Sequence, residues 1–378
     1  MTASTTFYQA YAIRILKYNV DEVGSLTFVN ISAIALGNFI GLLLVYRFRG
    51  KRVILWKVFA LINLLMWSTS GFADLTKVKW LFPFFIGVAQ LAGSIGSLAY
   101  SDTIADMVLR EKSIGVFSKV NVFTTTATLI GLTAGVTIFS VISDVVLAYR
   151  IYYTLSFISS LISIAFLLSL WTVTESPSLN VTPKLVASKF KEITRQEDVK
   201  HYMLYMLILT FSVNLPSALW NYYLIKVFKG DESWISINSI SSTLTSMLGY
   251  YIISKLHEKL EPKKVVVAST AFISVLPTMF LFAPSLPQQI LFNAYSGFTW
   301  AFLNNMINIY NLYLANNDNR IYFLAMLGIL NNLTASTATK IGSSIASIGV
   351  EYMRAVFIAS SLGRLASMFY ALKKLDNV

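Results

Sequence analysis

The chain consists mostly of long hydrophobic runs separated by short polar segments. Twelve runs can be counted, and most have the roughly 20 residues or more that an α-helix needs to cross a bilayer. Alternating polarity of the kind found in membrane β-strands is missing, and a backbone in lipid must satisfy its own hydrogen bonds, so these runs predict helices. The runs cover residues 5–18, 25–46, 53–71, 80–100, 115–142, 151–173, 201–224, 233–254, 265–283, 286–314, 321–345 and 350–372.

The longest polar interruption, residues 174–200, divides the runs into two sets of six. It contains Pro177 and Pro183 and then a basic stretch, 184–200, which predicts an amphipathic helix. The expected organisation is an N-terminal six-helix bundle at 1–175, a basic linker at 176–200 and a C-terminal six-helix bundle at 201–378. The first run is a turn or two short of a full span, so we also consider a truncated first helix.

Composition supports an all-α integral membrane protein. Of the 378 residues, 56% are hydrophobic and 13% are charged, and the mean hydropathy is +0.64. Soluble domains carry about 25% charged residues, so the surplus apolar surface of this chain must face lipid. Cysteine is absent and there are two histidines. Without a thiol, a histidine cluster or a glycine-rich phosphate loop, the chain is expected to be neither an enzyme nor dependent on a cofactor or metal.

The net charge of +12 predicts an orientation rather than binding to nucleic acid. With the N-terminus placed in the cytoplasm, nineteen lysine and arginine residues lie on the cytoplasmic side and seven lie outside. Positive residues favour the cytoplasmic side of a membrane. We therefore expect a multi-pass protein of the plasma membrane with both termini in the cytoplasm.

Several predicted spans carry a stripe of amide and hydroxyl side chains on one helical face. Amide groups both donate and accept hydrogen bonds, which suits a neutral polyhydroxyl or amide solute, and tryptophan or tyrosine could stack on a sugar ring. The alternative is that these amides only bridge neighbouring helices, as polar residues in membrane bundles often do. The stripes are Gln9 with Tyr8 and Tyr11; Gln90, Ser94, Ser97 and Ser101; Thr210, Asn214, Ser217 and Asn221 around Pro216; and Asn293, Trp300, Asn304, Asn308 and Asn311. Proline frees a backbone carbonyl, so a bend is predicted at Pro216.

Charged residues within the runs are rarer and costly to bury. Lys340 shares a face with Asn332, Ser336 and Ser344, and an anionic group on a solute could bind it. Arg364 is the deepest basic residue. For each cation the alternative is an anchor that reaches the membrane surface from a helix end.

The organisation resembles that of the major facilitator superfamily, with six spans, a basic central loop and six more spans. The residues from Gly41 to Arg52 resemble the family pattern Gly-x-Leu-x-Asp-Arg-x-Gly-Arg-Lys after span two, although Tyr46 stands near the acidic position. A weaker copy follows Gly249 in the second half. Span four has Gln90 where many proton-coupled members carry arginine, and the proline of the antiporter pattern is missing from span five.

The resemblance implies a transporter whose first and fourth helices of each half line a central cavity. The substrate contacts would then be Gln9, Tyr11, Gln90, Asn214, Asn221, Trp300, Asn304, Asn308 and Lys340. Asp102 and Asp106, which resemble the family's latch positions, would close the cytoplasmic side together with Arg47, Arg49 and Arg110.

The implied function is secondary active or facilitative transport of a small, sugar-like or other polar organic solute by alternating access. Membrane lipids are expected partners and the chain is expected to be a monomer. No carboxylate lies mid-membrane in spans one, four, seven or ten, which favours uniport, or coupling of a proton through an unusual site.

A flippase for lipids or lipid-linked glycans is an alternative and requires polar side chains that face lipid between helices. A non-transporting receptor or assembly protein is another, and requires a plugged cavity.

Overall fold

The computed structural model of the chain describes residues 4–76, 78–107, 113–169, 182–256, 260–283, 285–314 and 320–376. Its regular structure in these ranges is helical, and two short 3-10 turns occur at Arg49–Lys51 and Ala73–Thr76. The α-helices are α1 Ser4–Arg14, α2 Val20–Arg47, α3 Arg52–Ser70, α4 Leu81–Met107, α5 Ser113–Val141, α6 Val145–Leu168, α7 Pro183–Ile193, α8 Glu197–Asn214, α9 Leu219–Lys226, α10 Glu232–Leu256, α11 Pro262–Phe282, α12 Leu286–Tyr313, α13 Arg320–Ala346 and α14 Val350–Lys374.

Within the described residues, eight segments are long and apolar enough to cross a membrane, with α8 and α9 counted as one segment. The predicted spans ten and eleven correspond to α12 and α13, which are 28 and 27 residues long. The predicted span eight corresponds to the 25 residues of α10. These three helices have sufficient length, but they contain too many serine, threonine and asparagine residues to count among the eight. Helix α1 has only 11 residues, which is about 16 Å and too short for a bilayer.

The chain divides into two compact units. Unit 1 takes the described residues within Met1–Lys17 and Val29–Val186, and unit 2 takes those within Tyr18–Phe28 and Ala187–Val378. The first turns of α2 therefore belong to unit 2. In agreement, Val20 is buried in the aromatic cluster of that unit, which includes Phe280 and Phe357.

The basic helix predicted at 184–200 is shorter in the structure. Helix α7 ends at Ile193, and α8 begins at Glu197 after the extended residue Gln196. Acidic residues stabilise a helix N-terminus, and Glu197 and Asp198 stand in the first turn of α8, so the chain starts a new helix there. Ile193 is buried in the core of unit 2.

Small residues let helices approach closely in both units. A Cβ added at Gly41 of α2 would lie 2.8 Å from a methyl carbon of Leu98 on α4. A Cβ added at Gly249 of α10 would lie 2.7 Å from the Cβ of Ala301 on α12. Glycine at these positions permits the close backbone contacts typical of membrane bundles. The two glycines that precede the basic turns of the two halves thus pack in the same way, against the fourth predicted span of their half.

Helix α14 compensates for two prolines in unit 2. Proline has no N–H, so it leaves the carbonyl four residues earlier without its helical hydrogen bond. Pro216 frees the carbonyl of Ser212 in α8, and the hydroxyl of Ser360 donates to that oxygen at 2.6 Å. The bend predicted at Pro216 is present as the break between α8 and α9.

The second proline, Pro277, lies inside α11 and frees the carbonyl of Ile273. The guanidinium of Arg364 donates to that oxygen from Nη1 at 2.9 Å. Arg364 is 2% exposed, and no carboxylate among the described residues lies within ion-pair distance of it. This contact gives the deepest arginine a structural role, in place of the helix-end anchor or solute contact considered from the sequence.

Candidate substrate-binding and gating residues

The polar stripe predicted on span ten lies along α12. Asn304 and Asn308, about one turn apart, are exposed, whereas Leu303 and Met306 are buried in the core of unit 2. Trp300 is half-buried and packs against that core. Within the described residues, the two exposed amides make no hydrogen bond. In a helix that crosses the membrane, such amides need water or a polar ligand beside them, because hydrocarbon cannot satisfy them.

The stripe on span seven lies at the break between α8 and α9. Asn214 is half-buried, and its Nδ2 donates to the carbonyl of Thr210 at 2.9 Å. Thr339 of α13 donates to the Asn214 carbonyl at 3.1 Å, and its hydroxyl lies 2.6 Å from that of Ser217. Asn221, on α9, is also half-buried and has a polar partner. Helix α13 therefore holds the broken segment through backbone and hydroxyl groups.

One end of the α12 stripe is joined to α8. The hydroxyl of Tyr202 donates to Oδ1 of Asn311 at 2.8 Å, and the ring of Tyr202 stacks on Tyr310 with centroids 5.4 Å apart. At the other end, Asn293 donates to the carbonyl of Gln289 in its own helix. Asn311 and Asn293 are thus engaged within unit 2, and Asn304 and Asn308 are left as the accessible amides of this face.

In unit 1, two predicted contacts are buried. The hydroxyl of Tyr11 donates to Asp74 at 2.8 Å, and Asp74 also pairs with Arg150 at 3.3 Å. Tyr11 is 1% exposed. Gln9 is buried as well and donates to the hydroxyl of Tyr8 at 3.3 Å. These contacts stabilise unit 1, and the geometry adds no support for Gln9 or Tyr11 as substrate contacts.

Gln90, the predicted contact of span four, is half-buried on α4. Its backbone carbonyl accepts a hydrogen bond from Ser94 at 2.9 Å. The Gln90 amide makes no hydrogen bond to the described residues, so it remains available to a ligand.

Lys340 is engaged in an ion pair that the sequence did not indicate. Its Nζ lies 2.7 Å from Oδ1 of Asp21 and 2.9 Å from the hydroxyl of Ser25, both near the start of α2. Ser344, one turn along α13, donates to the same carboxylate oxygen at 2.9 Å. The two ionic side chains are 37% and 40% exposed. The cluster ties the first turns of α2 to α13 within unit 2.

The predicted cytoplasmic latch lies largely outside the described residues. Arg110 and the side chains of Arg49, Asp102 and Asp106 fall there. Arg47 is exposed, with its guanidinium 5.7 Å from the ring centroid of Phe48. The latch therefore stays a prediction.

Unit 1 also contains an open groove with a volume of about 1010 Å³ between α3, α5 and α6. Its walls are mainly apolar, with a row of serines from α6. No residue predicted as a substrate contact lines it.

Several known protein structures share this architecture. No family model matches the chain, and no curated protein matches it. Solved structures do match over nearly its whole length. A mutant of the nucleoside transporter NupG has a TM-score of 0.77 and 14% identity, covering 99% of this chain and 96% of that one. A D-xylose–proton symporter has a TM-score of 0.76 and 12% identity, with 99% and 94% covered.

The inward-open xylose transporter XylE from E. coli gives a TM-score of 0.73 at 12% identity, covering 100% of this chain and 92% of that chain. These neighbouring structures are those of transporters. They are members of the major facilitator superfamily, so the resemblance inferred from the sequence is confirmed at the level of the fold. The chain is a multi-pass membrane protein with the fold of the major facilitator superfamily transporters.

Proposed function

We propose that this chain is a secondary active or facilitative transporter that moves a small polar organic solute by alternating access. The observation that carries the proposal is the pair of exposed amides, Asn304 and Asn308, on a long membrane helix. Such groups are stable at bilayer depth only beside water or a polar ligand.

The proposed substrate class is a neutral solute rich in hydroxyl or amide groups. Asn304, Asn308, Asn214 and Gln90 offer donors and acceptors without net charge. The structural neighbours are transporters of nucleosides and of D-xylose, and both solutes carry several hydroxyls. Lys340 contributes less to this site than the sequence suggested, because Asp21 already neutralises it.

The test begins with ligand binding to the purified protein. Thermal-shift screening against pentoses, hexoses, nucleosides, amino acids and organic anions should show stabilisation by a hydroxyl-rich neutral solute. That solute should then enter proteoliposomes, and its uptake with and without a proton gradient distinguishes symport from uniport. If no solute stabilises the protein and none enters the vesicles, the proposal is wrong.

Replacement of one amide tests the site directly. Asn304→Leu should reduce uptake at least tenfold while leaving the unfolding temperature nearly unchanged, because losing hydrogen bonds to a solute in a water-poor site costs about 1.4 kcal/mol or more. Asn305→Leu is the matched control, since residue 305 lies about 100° around the helix from residue 304. Equal uptake by the two variants would remove α12 from the site.

A further inference from the structure

Arg364 stands near the middle of α14, a helix that is long and apolar enough to cross a membrane, as is its neighbour α11. Its guanidinium has five N–H donors and stays protonated in proteins. One of them, on Nη1, donates to the carbonyl of Ile273. Because that oxygen carries no net charge, the contact satisfies one donor and leaves the positive charge of the guanidinium without a counter-charge.

The rest of this guanidinium has no partner among the described residues. Nε of Arg364 is completely buried and makes no hydrogen bond. Nη2 makes none either, but it is not completely buried, so a particle of about the size of a water molecule can lie against it. Buried donors in native proteins are nearly always paired with protein, water or a ligand, and a buried charge needs a partner. We therefore expect a bound group that is not part of the chain beside Nε and Nη2.

A pair of hydroxyl groups lies at the same contact between α11 and α14. The hydroxyl oxygens of Thr278 and Ser361 are 2.8 Å apart. In such a pair one hydroxyl donates to the other, and the second keeps a proton for a further acceptor, which the described residues do not supply. Ser361 is buried and precedes Arg364 by one turn, so the pair lies next to the guanidinium. N–H and O–H donors gathered in this way favour an acceptor that carries negative charge.

We infer that unit 2 binds a small monovalent anion of the class of chloride, beside Nε and Nη2 of Arg364 and next to the hydroxyls of Thr278 and Ser361. Water would satisfy the donors but would leave the guanidinium charge uncompensated among apolar helices. One positive charge matches one negative charge, and the small opening beside Nη2 excludes a large organic anion. Arg364 is not among the proposed solute contacts, so this inference goes beyond the transport proposal and does not depend on it.

Thermal unfolding of the purified protein in detergent tests the site, with sodium chloride compared against sodium gluconate at equal ionic strength. Gluconate is too large to enter. Chloride should raise the unfolding temperature in a saturable manner, by about 3 °C when it is present at roughly five times its Kd, and bromide should act as chloride does. Equal unfolding temperatures in chloride and gluconate would overturn the proposal, because water would then satisfy the donors.

Arg364→Gln should abolish the difference between the two salts. This variant is made in a Pro277→Ala background, where the N–H of residue 277 bonds the Ile273 carbonyl, so folding no longer needs the guanidinium at that oxygen. Pro277→Ala alone should keep the response to chloride. The matched control, Arg354→Gln in the same background, removes an exposed arginine of the same helix and should also keep it. A chloride effect that persists in Arg364→Gln would overturn the assignment.

Chloride NMR measures binding without reference to stability. Exchange with a protein site broadens the resonance of free chloride. In the Pro277→Ala background, the protein with Arg364 and the Arg354→Gln control should broaden the resonance equally, and Arg364→Gln should broaden it less. Bromide should reverse the broadening and gluconate should not. Equal broadening by the proteins with and without Arg364 would also contradict the proposal.

Discussion

The buried position of Arg364 is explained by a hydrogen bond that a proline removes from another helix. Burying a cation is costly. For Arg364 this cost is offset by a hydrogen bond to the Ile273 carbonyl, which Pro277 leaves without a helical partner. A charged donor suits this role, because hydrogen bonds to charged groups are worth about 1.5–3 kcal/mol. The hydroxyl of Ser360, one turn earlier on α14, donates to the Ser212 carbonyl that Pro216 leaves free.

This explanation predicts coupling between Arg364 and Pro277. Arg364→Met should lower the free energy of unfolding by about 1–3 kcal/mol, because it leaves the Ile273 carbonyl buried without a partner. In a Pro277→Ala background the backbone N–H of residue 277 can bond that carbonyl, so the same substitution should cost less or even stabilise the protein. Denaturant unfolding in detergent measures the double-mutant cycle.

Arg354→Met is the control, since Arg354 is an exposed arginine of the same helix, paired with Glu351 and also in contact with Tyr223. It should change stability by less than about 1 kcal/mol. An equal loss from Arg364→Met in both backgrounds would show that the arginine does not compensate for the proline.

At the scale of helices, segments of similar length differ in how many polar residues they carry. Helix α11 is among the eight strongly apolar segments, whereas α10, α12 and α13 are as long but more polar. Part of that polarity is buried, as at Ser236 and Thr339, and part is exposed, as at Asn304. The start of α2 meets one of these polar helices, α13, through the pair of Asp21 and Lys340.

The ion pair predicts an effect of charge reversal. Asp21→Lys should lower the unfolding temperature, because it places two ammonium groups where an attraction existed. The double reversal, Asp21→Lys with Lys340→Asp, should restore most of the loss. Because both side chains are more than a third exposed, simple neutralisation by Asp21→Asn should cost no more than about 1 kcal/mol.

The control for this pair is Glu351→Lys, which disrupts a surface pair with Arg354 within one helix and should have a smaller effect. If the double reversal is as unstable as Asp21→Lys alone, the pair is not what holds α2 to α13.

For the whole molecule, the uneven distribution of basic residues determines the proposed topology. We propose twelve membrane helices, of which α1 is too short to cross the bilayer completely and α8 and α9 together form one. Both termini lie in the cytoplasm, and the helices form two six-helix bundles at 1–175 and 201–378. The proposed location is the plasma membrane, and positive residues at the cytoplasmic ends of the helices support this orientation.

The absence of cysteine makes the topology directly testable. Thr76→Cys lies between α3 and α4, and Lys374→Cys lies at the end of α14; both positions are exposed. A membrane-impermeant maleimide should label Thr76→Cys in intact cells and should label Lys374→Cys only after permeabilisation. The reverse pattern would invert the orientation.

The sequence by itself determined the helical segments, their location in a membrane and the break at Pro216. These features follow from local causes, since a bilayer requires about 20 apolar residues per span and proline removes a fixed hydrogen bond. It also predicted the polar face of α12, because helical periodicity places residues four apart on one side. The end of the helix predicted at 184–200 was wrong by several residues, because two acidic residues start a new helix.

Only the tertiary structure decided which groups meet. Asp21 and Lys340 are separated by 319 residues, and no local pattern brings them together. Arg364 could have been a surface anchor or a solute contact, and its packing against α11 assigned it to a backbone carbonyl. The groove of unit 1 likewise depends on how three helices approach one another, since the hydrophobicity of each helix predicts that it faces something apolar but not which neighbour it leaves uncovered.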